Sequence, residues 1–143
     1  MTKNLRTRLR YYLQSNSKSH KTRKLIGCST EFYREWINFQ FDTYMNWDNY
    51  GLKKYWVIDH VKPMTKFDFS KDSQILECMH WSNLRPLENV KNIQKRNKYS
   101  EKLEQLHNKV ITDFLNLHGK NFKNKFTNPS GFVMKIDNPQ QSS

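Results

Sequence analysis

The sequence predicts a small α+β domain. Three observations carry that expectation: helical apolar spacing in several separated stretches, two short extended runs rich in β-branched or apolar residues, and turn-forming residues between them. The chain has 143 residues, enough for one modest core but not for two independent ones. Apolar residues make up 36% and aromatics 14%, which excludes a disordered polybasic tail as the whole answer.

The elements follow in order. Leu5, Leu9, Tyr12 and Leu13 recur at helical spacing with Arg6, Arg8 and Arg10 between them, giving a short basic amphipathic helix. "QSNSKSHKTRK" is polar and aperiodic and reads as a loop or hinge. A helix from about Thr30 to Phe41 has Ser29 or Thr30 as its cap, Glu31 in its first turn, and Phe32, Trp36 and Phe39 on one face. The stretch "MNWDNYG" is turn-rich. Lys54 to Val61 has the composition of a strand, which Pro63 stops. A short helix is expected over Asp72 to Met79, with Ile75, Leu76 and Met79 sharing a face. "NLRPL" is a second extended segment, because a residue before proline is pushed out of the helical region. Glu88 to Lys98 reads as a helix, acidic at its start and basic later, which suits the macrodipole. Ser100 caps a last long helix with Leu103, Leu106, Val110, Phe114 and Leu117 on one side, stopped by Gly119. The tail from Asn121 onward is expected to be loosely ordered.

Charge is uneven. Residues 1 to 30 hold eight Lys/Arg and no Asp/Glu, residues 91 to 125 hold nine against three, and residues 31 to 90 balance seven against nine. Two basic flanks thus bracket a near-neutral centre in a chain of net charge +12, and such a field concentrates polyanions. Nucleic acid is the first partner to expect. No apolar run approaches a membrane span and no signal-peptide pattern opens the chain, so no membrane is expected. Cys28 and Cys78 form no CxxC pair, which suggests neither a disulfide framework nor a structural zinc site, and a reduced, cytoplasmic setting.

The stretch "WVIDHVKP" ends an apolar strand in Asp59 and His60, with Asn83 before the second extended run and Asn92 in the helix after it. A carboxylate, an imidazole and two amides lie between the basic flanks. Oxygen donors suit a hard divalent cation such as Mg²⁺ or Mn²⁺, and a neutral imidazole takes a proton from water near neutral pH. Metal, base and a polyanion-binding surface point to phosphodiester hydrolysis. Adjacent residues in a regular strand point to opposite faces, so Asp59 and His60 can serve one phosphate only if the strand twists or ends between them.

The run "IDHVKP…NLRPL…NIQKRNK" resembles the HNH endonuclease family, whose ββα-metal fold pairs a two-stranded ribbon with one helix around a single metal. The stretches "LIGCSTEF", "MNWDNYG" and "CMHWSNLRPL" resemble, more narrowly, the small HNH proteins of phages and large DNA viruses, many of them homing endonucleases. The motif match covers Trp56 to Lys98; residues 1 to 20 and 101 to 143 lie outside the resemblance.

The resemblance implies an α+β protein with an HNH core at residues 54 to 98, while spacing and composition alone give a basic helical region at 1 to 53 belonging to the same domain, a C-terminal helix at 99 to 120 and a basic tail at 121 to 143. It implies His60 as general base, Asp59 and Asn92 as ligands of one divalent metal ion, and Asn83 as the residue that holds the imidazole ring. Mg²⁺ is the expected ion, with Mn²⁺ or Ni²⁺ as alternatives. For contact with double-stranded DNA the basic residues of choice are Arg6, Arg8, Arg10, Lys21, Arg23, Lys24, Lys91, Lys95, Arg96 and Lys98. Arg85 either reaches the scissile phosphate or pairs with Glu88. His80 is expected to pack on Trp81, and His20, His107 and His118 to lie on the surface. The function so implied is a metal-dependent DNA endonuclease of homing type. Its rivals are a host-directed or restriction nuclease and a DNA-binding module without catalysis.

Overall fold

The computed structural model describes residues 20–52, 55–89, 91 and 98–129. Four helices and two strands alternate there: α1 His20–Ile26, α2 Thr30–Phe39, β1 Trp56–His60, α3 Asp72–Met79, β2 Leu84–Glu88 and α4 Glu101–His118. The fold is therefore mixed α and β, with a two-stranded antiparallel sheet among several helices.

Local chemistry explains most boundaries. Ser29 caps α2 by accepting the Phe32 N–H at 3.2 Å. Ser100 does the same for α4, accepting the Leu103 N–H at 3.1 Å. Before β1, Asn46 and Asn49 cap each other reciprocally across a 3₁₀ turn at Trp47–Asn49. Asn49 Oδ1 then accepts the Trp56 indole N–H at 2.8 Å, which anchors the start of the strand.

The ribbon hangs on aromatic residues. Trp36 of α2 donates its indole N–H to the Leu84 carbonyl at 2.8 Å, tying that helix to the first residue of β2. Phe32, Trp36, Trp81 and Phe114 are fully buried and meet edge to face at 4.8 to 5.3 Å. A second group holds the other end of the ribbon, where Tyr50 stacks on Trp56 at 4.5 Å.

Several expectations need correction. The segment read as a loop before residue 25 contains α1, a polar and basic helix whose apolar residues Leu25 and Ile26 come only at its end. Its turns therefore carry no apolar stripe for periodicity to find. In α4 the buried stripe is His107, Ile111, Phe114 and Leu115, whereas Leu106 and Leu117 are 57% and 67% exposed. The stripe passes through a histidine, and apolar spacing alone misplaced the face. His107 is thus buried, and His118 is half-buried and stacks on Phe114 at 5.1 Å, so neither is the surface residue expected.

The segment just past α4 is also ordered. Cys28 and Phe126 form an antiparallel bridge, Ser29 N–H donates to the Lys125 carbonyl at 2.8 Å, and Thr127 N–H donates to the Gly27 carbonyl at 2.8 Å. Glu88, expected to open a helix, instead ends β2 opposite Trp56. The first basic helix, the remainder of the helix expected up to Lys98 and the tail beyond 129 lie outside the described residues, apart from Asn89, Lys91 and Lys98. Cys28 and Cys78 are buried and form no disulfide with each other. Burial pushes both thiols up, that of Cys78 to about 12. No helix among the described residues is long and apolar enough to cross a membrane.

Candidate functional site

The ladder of the ribbon runs through the Asp-His pair. Asp59 lies opposite Arg85 and His60 opposite Leu84, and Val61 N–H extends the pairing by donating to the Asn83 carbonyl at 2.8 Å. The strand therefore does not end between Asp59 and His60; regular pleating turns successive side chains to opposite faces. The two side chains accordingly meet different neighbours. Asp59 Oδ2 accepts from Arg85 Nε at 3.0 Å. His60 Nε2 lies 3.4 Å from the Met79 sulfur at the end of α3. A thioether is only a weak acceptor, so this contact packs the imidazole against the end of α3. Both residues lie below the surface, Asp59 at 7% and His60 at 5% exposure.

Asn83 closes the arrangement, at different atoms from those expected. Its Oδ1 accepts the Lys62 N–H at 2.8 Å, while its Nδ2 donates to the Lys62 carbonyl at 3.1 Å and the Cys78 carbonyl at 3.0 Å. With those bonds made, the amide is spent on backbone, and it holds no imidazole ring. It fixes the chain two residues past His60 and ties it to the last turn of α3. The 3₁₀ turn Trp81–Asn83 presents Asn83 for this role, because its own N–H donates to the His80 carbonyl at 2.9 Å.

Two histidines that sequence reasoning set aside frame the same loop. His107 of α4 bonds the Ser82 carbonyl through Nε2. His80 reaches Ser82 Oγ at 2.8 Å through Nδ1 and Thr127 Oγ1 at 3.0 Å through Nε2, and it leans on Trp81 at 5.3 Å as expected. Burial, the leading cause, lowers each to about 4. Both are therefore neutral structural links at neutral pH. The only sequence hint of their role was proximity: each neighbours a position already marked, Asn83 or the α4 stripe. A cavity of about 410 Å³ opens beside this loop, with Lys62, Glu77, Asn83, Tyr99 and His107 among its walls. Lys62 Nζ sits over the Phe67 ring at 4.6 Å.

The remaining expected residues are dispersed. Arg85 is committed to Asp59, and Glu88, its other expected partner, instead faces Lys91 at 3.7 Å. Lys98 is exposed, as are Arg23 and Lys24 in the last turn of α1. Lys21 falls within α1. Asn92, Lys95 and Arg96, together with Arg6, Arg8 and Arg10, lie outside the described residues.

Among the described residues no group of three or more His, Cys, Asp or Glu occurs that could hold a metal ion. The implied pair, one carboxylate and one amide, is a different and sparser set. Its oxygen donors fit a hard cation that keeps most of its sphere for water and phosphate. The Arg85 guanidinium on Oδ2 is a competitor that such an ion has to share the carboxylate with or displace.

No family model and no solved structure matches the chain. It is similar to two uncharacterized proteins of Acanthamoeba polyphaga mimivirus. One, L426, is 38% identical over 114 residues, covering 80% of this chain and 49% of the relative. The other, L246, is 38% identical over 121 residues, covering 85% of this chain and 52% of the relative. The chain thus spans about half the length of the curated relatives it matches.

Proposed function

We propose that this chain is a metal-dependent DNA endonuclease of the HNH, ββα-metal type, hydrolysing phosphodiester bonds by nicking or double-strand cleavage, with a homing-type role. The observation that carries the proposal is the Asn83 clamp. An antiparallel ribbon bears Asp59-His60 at the end of its first strand, and the amide just before its second strand fixes the backbone immediately past the histidine. That is an arrangement for holding an imidazole-bearing strand end still, and general-base catalysis needs a positioned base.

In this mechanism His60, neutral, accepts a proton from the attacking water, an assistance typically worth about 10²- to 10⁴-fold. Asp59 and Asn92 would hold the divalent cation, Mg²⁺ by preference. When bound, such an ion stabilises the charge that develops on the phosphate and the leaving oxygen. Arg85 orients the Asp59 carboxylate from the opposite strand. The basic residues that flank the ribbon in the sequence would supply attraction for double-stranded DNA but no sequence discrimination. A host-directed or restriction nuclease would use the same chemistry.

One observation favours a second reading, a DNA-binding module without catalysis: the carboxylate is nearly buried and already engaged by a guanidinium. A plasmid-nicking assay separates the two. Wild-type protein with Mg²⁺ or Mn²⁺ should relax supercoiled DNA, EDTA should abolish this, and His60→Ala should lower the rate at least a hundredfold. Supercoiled DNA left intact under every metal, or equal cutting by His60→Ala, sinks the nuclease reading.

A further inference from the structure

The two ends of the described chain meet at one groove of about 460 Å³. Its walls include Arg23, Lys24 and Cys28 from one end of the sequence and Lys125, Phe126 and Thr127 from the other. The stitching is backbone: the Cys28–Phe126 bridge and the reciprocal bonds from Ser29 to Lys125 and from Thr127 to Gly27, both 2.8 Å. Among the described residues no carboxylate lines the groove, and none forms an ion pair with its three cations. Arg23 is close enough to the floor for its charge to pull down the Cys28 thiol against the larger effect of burial.

The walls are rigid. Phe126 stacks on the fully buried Phe32 at 4.5 Å, and the Thr127 carbonyl accepts the Trp81 indole N–H at 3.0 Å. Gly27 turns the chain at φ +79, where a Cβ would sit 2.6 Å from Thr127 Oγ1 and 2.9 Å from His80 Cδ2. Asn124 takes φ 65 at the neighbouring turn, so the exposed Lys125 is presented by a fixed loop. The backbone that carries these exposed cations is held by tertiary structure. Less backbone entropy therefore remains to be lost when an anion arrives.

We propose that this groove is a phosphate-backbone binding surface for duplex DNA, built jointly by Arg23, Lys24 and Lys125 and separate from the ribbon. It shares no lining residue with Asp59 and His60, yet it is joined to them through α3. His80 bonds Thr127 at the groove, and the preceding Met79 touches His60. The groove wall at Thr127 is thus braced by the same loop that carries Asn83. The inference deepens the nuclease reading by adding a second grip on the same substrate, and its test is equilibrium binding, which needs no cleavage.

Binding of a fluorescent duplex to the full chain is measured by anisotropy in EDTA from 50 to 300 mM salt. Each phosphate contact contributes a slope of about −0.9 in log K against log salt, or roughly five- to tenfold in affinity near 0.1 M. Arg23→Gln, Lys24→Gln and Lys125→Gln together should flatten the slope by about 2 to 3, and Lys125→Gln alone by about 0.9. Lys109→Gln removes the same charge from α4, where Lys109 pairs with Asp113 at 3.2 Å, and should leave the slope unchanged. Wild-type protein that fails to bind duplex at 50 mM salt overturns the proposal. So does a triple variant with the wild-type slope, or a Lys109→Gln loss equal to that of Lys125→Gln. A protein that binds with the expected slopes but never nicks plasmid would refute the nuclease and leave the groove standing.

Discussion

Replacing Asn83 by alanine isolates the clamp from the chemistry it would support. The substitution removes three hydrogen bonds, one accepted from Lys62 N–H at 2.8 Å and two donated to the Lys62 and Cys78 carbonyls at 3.1 and 3.0 Å. A net value of about 1 kcal/mol each gives a loss of roughly 3 kcal/mol, with a range of about 1.5 to 4.5 set by how well water replaces the amide. The site is partly buried, so replacement is incomplete, and the bond from Val61 N–H to the Asn83 carbonyl survives because it uses backbone. With a urea dependence of about 1 to 3 kcal/mol per molar, the denaturation midpoint should fall by roughly 1 to 3 M at unchanged slope. Asn83→Asp provides an internal check. It keeps an acceptor for Lys62 N–H but turns a carboxylate toward two carbonyls, so it should be at least as damaging at pH 7. It should recover as pH falls, since protonation restores a donor. An amide that served only to orient the imidazole would give a different pattern, with activity lost and the urea midpoint unmoved. A midpoint shift below about 0.3 M for Asn83→Ala refutes the clamp.

Two further outcomes follow from the links around the same loop. His80 and His107 are each lowered by burial to about 4, below the roughly 6.5 of an unfolded histidine, so the unfolded chain binds more protons between those values. Their stabilisation is complete above about pH 6.5 and is lost as pH falls toward 4, by roughly 3 kcal/mol per histidine at most; urea titrations from pH 7 to 4.5 should show the decline, His107→Gln should halve it, and a flat profile contradicts it. Gly27→Ala should destabilise by at least about 1 to 2 kcal/mol, because an L-residue at φ +79 is strained and its Cβ meets Thr127 and His80; a neutral or raised midpoint removes the argument for a rigid groove wall.

The sequence was most legible where local chemistry decides structure. Ser100 as a cap, the short helix over Asp72 to Met79 and the extended "NLRPL" segment are each written in two or three neighbouring residues. It was least legible where a partner lies far along the chain. Nothing near Lys125 announces that its carbonyl meets Ser29, and nothing near His107 announces that it packs against the loop before β2. Apolar spacing failed in α4 for a related reason: a buried histidine satisfied by a carbonyl occupies a core position that hydropathy assigns to water. Asn83 shows the limit most clearly. Its position could be marked from the pattern, but which atoms its amide binds is settled by the turn that precedes it and by the end of α3.

The register of the ribbon bears on how any site here has to work. Because Asp59 pairs across to Arg85 and His60 across to Leu84, pleating sends the carboxylate toward Arg85 and the imidazole toward Met79. A single phosphate served by both could not lie over one face of the ribbon alone. Past His60 the pairing continues to Val61, and the Asn83 amide grips Lys62 from both sides. The clamp thus acts on the backbone two residues past His60. If it loosened, Asp59 would keep its cross-strand arginine and His60 its sulfur contact, but the backbone that sets their mutual position would no longer be fixed. On the proposed function, a carboxylate and an imidazole on adjacent residues would depend for their mutual position on that third residue, which touches neither of them.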